Sequence, residues 1–179
     1  MYISMDLAKF TFSILYNENY RENLKRALEE IERHFGKIDL ISEEFYFNFL
    51  ENYYGREMGK PLKKLYLSLR DLKDKGQLVD IKLKSMEVEK ELSVRGNRTV
   101  NLDPGYLDET QLILASHKRR GARIYLSREI YAEVELLYVY GAFRPLYWTY
   151  PDYRHTAVRE FFKKVRKKFL EERKLKNIL

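Results

Sequence analysis

Between Asp103 and Arg154 the chain concentrates side chains that can carry charge or move protons. Asp103, His117, Lys118, Glu133 and Glu135 are the candidate acids, bases and nucleophiles, and Tyr106, Arg123, Tyr125, Trp148, Asp152, Tyr153 and Arg154 are the candidate ligand-binding set. An arginine fork takes a carboxylate or phosphate in two parallel bonds, and a tyrosine or tryptophan ring can stack on a planar group while its polar end finds a partner. Glu133 and Glu135, two positions apart on a strand, share a face and would suit magnesium, which needs one or two carboxylates besides substrate phosphates. The alternative for this pair is solvated glutamates matched with neighbouring arginines. Arg123 and Tyr125 alternate with Ile124 and Leu126, so they share the wet face that the glutamates reach. His117 and Lys118 are consecutive on an extended strand and would point to opposite faces, so at most one joins a given cluster. Trp148 to Arg154 reads either as a pocket wall, with Arg154 meeting an anion, or as a lid that buries Trp148 and Tyr150 and caps the helix behind it.

Composition removes several chemistries. The chain has no cysteine, so disulfides, thiolate nucleophiles and thiolate metal sites are excluded, and its three scattered histidines offer little for zinc. There is no Gly-x-Ser-x-Gly elbow, which leaves Ser, Thr, Lys or a carboxylate as the available nucleophiles. His117 is followed by Lys118-Arg119 and His155 by Thr156-Ala157, so neither histidine fits the paired His-x-Thr/Ser design of phosphoesterases. The Glu133-Val134-Glu135 strand is reminiscent of the acidic strand of triphosphate tunnel enzymes, whose signature continues with a lysine where this chain has Leu137.

Charge is localised. Of the net +7, a surplus of six comes from Arg159 to Lys176, where nine basic residues face three acidic ones. This helix, the Lys118-Arg119-Arg120 loop and fifteen tyrosines are the features that would suit nucleic acid. No apolar run approaches the roughly 20 residues needed to cross a bilayer, and the opening MYISMDLAKFTF lacks a signal-peptide layout. The expected location is the reducing cytoplasm, with no membrane partner.

The elements that must position these residues follow from periodicity. Phe10 to Tyr16 reads as a strand, and Asn19 with Glu22 as the cap of a helix whose Leu24, Ala27, Leu28, Ile31 and Phe35 form one stripe ending at Gly36. Ile38 to Phe47 is extended and Asn48 to Gly59 is expected to be a loop. Lys63 to Leu72 alternates, with Leu65, Leu67 and Leu69 buried and Tyr66, Ser68 and Arg70 wet. Leu78 to Leu92 is a second helix, and Thr99 to Leu102 a strand ended by an Asp103-Pro104-Gly105 turn. Gln111 to Ser116, Ala122 to Leu126 and Ile130 to Tyr140 form a meander. In the last, Ile130, Ala132, Val134 and Leu136 face one way. The helix from Thr156 docks through Val158, Phe161, Phe162, Val165 and Phe169. The expected fold is one α+β domain over 1–179. It has a ferredoxin-like βαββαβ part at 1–107, an antiparallel β meander and aromatic loop at 108–154, and a basic amphipathic helix at 155–179 packed on the sheet.

Val100 to Leu107 (VNLDPGYL), Ala122 to Val134 (ARIYLSREIYAEV), Pro145 to Arg154 (PLYWTYPDYR) and Glu43 to Lys64 together give the chain a resemblance to an uncharacterised prokaryotic domain-of-unknown-function family. Members of that family are often labelled GTP-binding, and the resemblance implies no mechanism. The nearest approach to a P-loop, Gly55 to Pro61, is one residue short of G-x-x-x-x-G-K-[ST] and has proline where the magnesium-binding hydroxyl belongs. Three functions remain: an anionic-ligand (nucleotide or nucleic acid) binding domain with no P-loop, an enzyme acting on a phosphorylated small molecule, and a protein-interaction scaffold without catalysis.

Overall fold

The computed structural model describes residues 6–49 and 51–175. Its first strand, β1 (Leu7–Asn17), is buried almost throughout and leads into α1 (Arg21–Phe35). The cap of this junction is Asn17, whose side chain accepts from the Asn19 N–H at 2.9 Å, while Asn19 itself donates to the Lys60 carbonyl. The expected Asn19 cap is thus displaced by two residues, because a short 3₁₀ turn, Glu18–Tyr20, precedes the α-helix. After Gly36, at φ 108° and therefore in the region glycine favours, the chain forms β2 (Ile38–Ile41), β3 (Phe45–Tyr46), α2 (Glu51–Met58) and β4 (Leu62–Leu69). Helix α2 replaces the loop expected over Asn48 to Gly59; its Tyr54 packs on a small satellite core of Leu15, Phe47, Met58 and Leu62. The remaining elements are β5 (Lys73–Asp74), α3 (Leu78–Glu91), β6 (Val100–Leu107), β7 (Gln111–Ser116), β8 (Ile124–Ser127), β9 (Ile130–Val139), β10 (Ala142–Pro145) and α4 (Thr156–Leu175).

All ten strands of the described residues join one antiparallel sheet. Its main path is β10-β9-β7-β6-β1-β4-β2, with β3 beside β4, β5 beside β1 and β8 beside β9. The strands after Gly105 therefore extend the same sheet as those before it. One face carries the apolar side of the alternation, with Phe10, Phe12 and Ile14 from β1 and Leu65, Leu67 and Leu69 from β4. It is covered by the predicted stripes of α1 and α3. The other face is covered by α4 through Val158, Phe161, Phe162, Val165 and Phe169. Because α4 lies there, Tyr66 and Ser68 are fully buried rather than wet. A helix more than eighty residues away supplies the cover that local alternation cannot reveal.

Two further expectations change. Asp103-Pro104-Gly105 is no turn, since β6 runs straight through it with Pro104 opposite Phe12 and Gly105 opposite Thr11. The glycine is needed for close approach: a Cβ at Gly105 would lie 2.2 Å from the carbonyl oxygen of Ile113 on β7. In β9 the register with β7 slips between Leu136 and Val134, a bulge at Glu135. The slip moves Leu136 off the face of Ile130 and Val134 and into the core under α4.

Candidate functional site

The sheet parts where β7 leaves β6. Their pairing covers only Gly105, Tyr106 and Leu107, whereas β6 continues alongside β1 back to Val100. Asn101 and Asp103 thereby border an opening on the α4 side of the sheet, a cleft of about 80 Å³. Its other walls include Ser13 on β1, Lys64 on β4, Ser116 to Lys118 at the end of β7, Tyr53 and Tyr54 on α2, and Tyr150, Asp152 and Tyr153 ahead of α4. Helix α2, absent from the sequence reading, is what closes one side.

Charges in the cleft are mostly paired. Lys82, a buried lysine of α3, donates to Asp103 Oδ1 at 2.9 Å and to the Leu102 carbonyl. Burial alone would raise the Asp103 carboxyl, but Lys82, with help from Lys64 and an Asn101 hydrogen bond, holds it below the usual carboxylate range. Arg98 grips Glu57 in a bidentate pair at 2.7 and 2.8 Å and also donates to Asn101. Lys64 and the Tyr66 hydroxyl both donate to Asp152 Oδ2 in the floor. Lys118 differs: its ammonium lies 4.5 Å from the Tyr53 ring centre and 5.7 Å from that of Tyr54, and among the described residues it makes no ion pair. Beside it, burial and then the charge of Lys82 lower the His117 imidazole below its ordinary value.

Both His117 and Lys118 line the cleft, contrary to the expectation that at most one would. Strand β7 ends at Ser116, so strict alternation does not reach them. Asp103, Asp152 and Tyr153 join them. The other predicted residues stand elsewhere. Tyr106 packs beside Phe10, toward the α1–α3 layer, with the Lys75 ammonium over its ring. Tyr125 is 58% exposed on β8, against the ring of Tyr131. Arg123 is not on a wet face: its side chain is buried and donates to Glu133, the Lys118 carbonyl and the Tyr150 hydroxyl, so its fork is already occupied. Arg154 spends its donors on the carbonyls of Leu146, Tyr147 and Thr149. Trp148 donates to the Val134 carbonyl and remains partly exposed, while Tyr153 is the ring that is buried, stacked on Phe162.

Glu133 and Glu135 are buried, not solvated, and they do not fit magnesium. The guanidinium of Arg123 stands against Glu133. Glu135 accepts from the Tyr150 N–H through Oε1, and its Oε2 is buried without a hydrogen-bond partner among the described residues. Burial, with Glu133 and Asp152 nearby, pushes the Glu135 carboxyl up to about 8, which keeps it protonated at neutral pH. The segment Trp148–Arg154 is thus fastened to β9 by Glu135, Val134 and Arg123, and it forms one wall of the cleft.

A family model described as a domain of unknown function, DUF4416, matches residues 6–169. The chain belongs to that family. The DUF4416 match takes in every residue of the cleft, and the VNLDPGYL and PLYWTYPDYR stretches supply β6 and the fastened wall. Neither a curated protein nor a solved structure matches the chain. In this DUF4416 chain Gly55 lies within α2 and Gly59 just past its end. A P-loop opens a helix and offers its electropositive N-terminus, whereas Gly55 to Pro61 closes one at the electronegative end.

Sequence reasoning missed Tyr53, Tyr54, Lys64, Arg98 and Asn101. Lys64 shares a strand side with Tyr66 and Ser68, a polar side that reads equally as wet or as a buried polar floor. No local signal separates the two.

Proposed function

We propose that this chain binds the phosphoryl group of a small anion, a nucleotide or another phosphorylated small molecule, in the β6–β7 cleft and without a P-loop. The observation that carries the reading is the state of Lys118. Lys82 with Asp103, Lys64 with Asp152, and Arg98 with Glu57 and Glu89 form ion pairs, whereas the Lys118 ammonium makes none among the described residues and lies over the Tyr53 ring instead. Hydroxyls of Ser13, Ser116 and Tyr150 line the same space. A volume of about 80 Å³ suits a phosphoryl group, with the organic part outside beside the exposed ring of Tyr53. Calorimetric titration of the purified chain with inorganic phosphate and with nucleoside mono-, di- and triphosphates tests this. Lys118→Ala is expected to weaken binding about tenfold, roughly 1.4 kcal/mol, while the melting temperature of the free protein stays unchanged. Absence of binding by the wild-type chain, or equal binding by the variant, overturns the reading.

The enzymatic alternative draws on His117, whose lowered pKa leaves a neutral imidazole on the same wall as the ionised Asp103. Release of inorganic phosphate in the same titrations is its signature. Binding of nucleic acid to α4 ranks below both. Arg159, Arg166, Lys168 and Arg173 are engaged with Phe143, Glu109 and Asp39, and Lys163, Lys164, Lys167 and Lys174 are left as its outward cations among the described residues. In this reading the β6-β1-β4-β2 strands with α1 and α3 are a ferredoxin-like half, and the protein works in the cytoplasm.

A further inference from the structure

Two exposed apolar features lie outside the cleft, and neither is covered by the described chain. One is a groove of about 760 Å³ between the β2–β3 margin of the sheet and the start of α4, lined by Ile41, Phe45, Phe49 and Phe161 and rimmed by Glu43 and Glu160. The other is β8, where Ile124, Tyr125 and Leu126 are 68%, 58% and 40% exposed. An outer strand apolar on both faces is a template for pairing, which proteins otherwise blunt with charge. We propose that β8 of one molecule docks into the β2–α4 groove of a second copy, head to tail.

Charge and geometry select this occupant. Along the groove Glu44 is neutralised by Arg21, and Glu43 and Glu160 outnumber Lys164, so the rim has a surplus acid. Around β8, Arg119 is held by Glu129 and Arg128 by Asp80, leaving Arg120 as the surplus base among the described residues. The same chain cannot fill its own groove. Strands β2 and β8 lie at opposite margins, with β4, β1, β6, β7 and β9 between them, a span of about 29 Å at a strand spacing of about 4.8 Å. A symmetric β8–β8 contact would set Arg120 against its copy. A groove–groove contact would oppose the glutamates and leave both concavities open, and like-charge contacts of this kind are disfavoured. The head-to-tail contact covers both features at once, brings opposite charges together and matches two four-residue strands, Ile38–Ile41 and Ile124–Ser127. Such a contact repeats into a ring or an open chain.

Sedimentation velocity of the full chain from micromolar to millimolar concentration tests the proposal. Wild type is expected to form species larger than a dimer as concentration rises. Ile41→Asp and Ile124→Asp, both at exposed positions, are each expected to stay monomeric with an unchanged circular dichroism spectrum. Mixed in equal amounts, they are expected to form a heterodimer that grows no further, because one variant keeps a working groove and the other a working β8. If either variant misfolds, Glu160→Arg and Arg120→Glu replace them: each alone weakens assembly, and both in one chain restore it. A wild type that stays monomeric throughout, or a mixture without heterodimer, overturns the proposal.

Discussion

The two faces of the sheet are built by alternate residues of the same strands, and they differ in kind. Toward α1 and α3 the strands present Phe10, Phe12, Ile14, Leu65, Leu67, Leu69, Val100 and Leu102, a continuous apolar layer. Toward α4 the neighbouring positions are Lys9, Thr11, Ser13, Lys64, Ser68, Asn101 and Asp103, buried or nearly so, joined there by Glu133, Glu135 and Asp152. The apolar face gains from removing hydrocarbon from water and needs no directional partner. The polar face depends on partners for its buried charges, such as those Lys9 finds in Asp39 and Glu172. A fold that needed only stability would not place so many ionisable groups beneath one helix, and the cleft lies on that face.

Three measurements would break or sharpen the contrast. Phe12→Ala, in the apolar layer, is expected to lower the unfolding free energy by about 3 to 5 kcal/mol in chemical denaturation, with the anion affinity of the folded protein unchanged. Asp152→Ala leaves Lys64 and the Tyr66 hydroxyl buried without their acceptor and is expected to remove about 3 kcal/mol. The triple variant Lys64→Met, Tyr66→Phe and Asp152→Leu should recover most of that loss, because none of the three replacements needs an acceptor. A triple variant as unstable as Asp152→Ala would show that the buried polar cluster is itself a net source of stability.

Glu135→Gln has the smallest expected effect on stability and a pH dependence that identifies it. The folded carboxyl titrates near 8 against a usual value of 4.5, so between these pH values the folded chain binds more protons than the unfolded one and stability falls as pH rises. Below 4.5 the group adds no penalty, and above 8 the penalty is complete. At about 1.4 kcal/mol for each pH step separating the two values, the ceiling is roughly 4 to 5 kcal/mol, of which a buried amide returns only part; Glu135→Gln is thus expected to be about 2 kcal/mol more stable than wild type at alkaline pH. Stability of wild type that is flat from about pH 5 to about pH 8, measured by thermal or chemical unfolding, would refute the assignment.

How legible the molecule is depends on how local each signal is. The stripes of α1, α3 and α4 are written in side chains a few residues apart, and those helices bury the residues their periodicity names. The Tyr53-Tyr54 stretch carries two glycines and a proline nearby and reads as a loop, but it forms a helix and a cleft wall, with the Tyr54 ring packed on Phe47. Within the candidate site, Asp103, His117, Lys118, Asp152 and Tyr153 were legible as polar residues in an aromatic setting. Arg123 and Arg154 carry the same signal and are spent on internal bonds.

What the sequence alone determined is the mixed α and β character, the apolar faces of three helices and the exclusion of thiolate chemistry and of a P-loop, because each depends on residue type or short-range spacing. The tertiary structure decided which strand faces are buried, that β6 passes straight through Pro104 and Gly105, and that β7 leaves it there to open a cleft. Those outcomes depend on which distant segment packs against a strand, and a strand's own alternation is the same whether water or a helix lies against it.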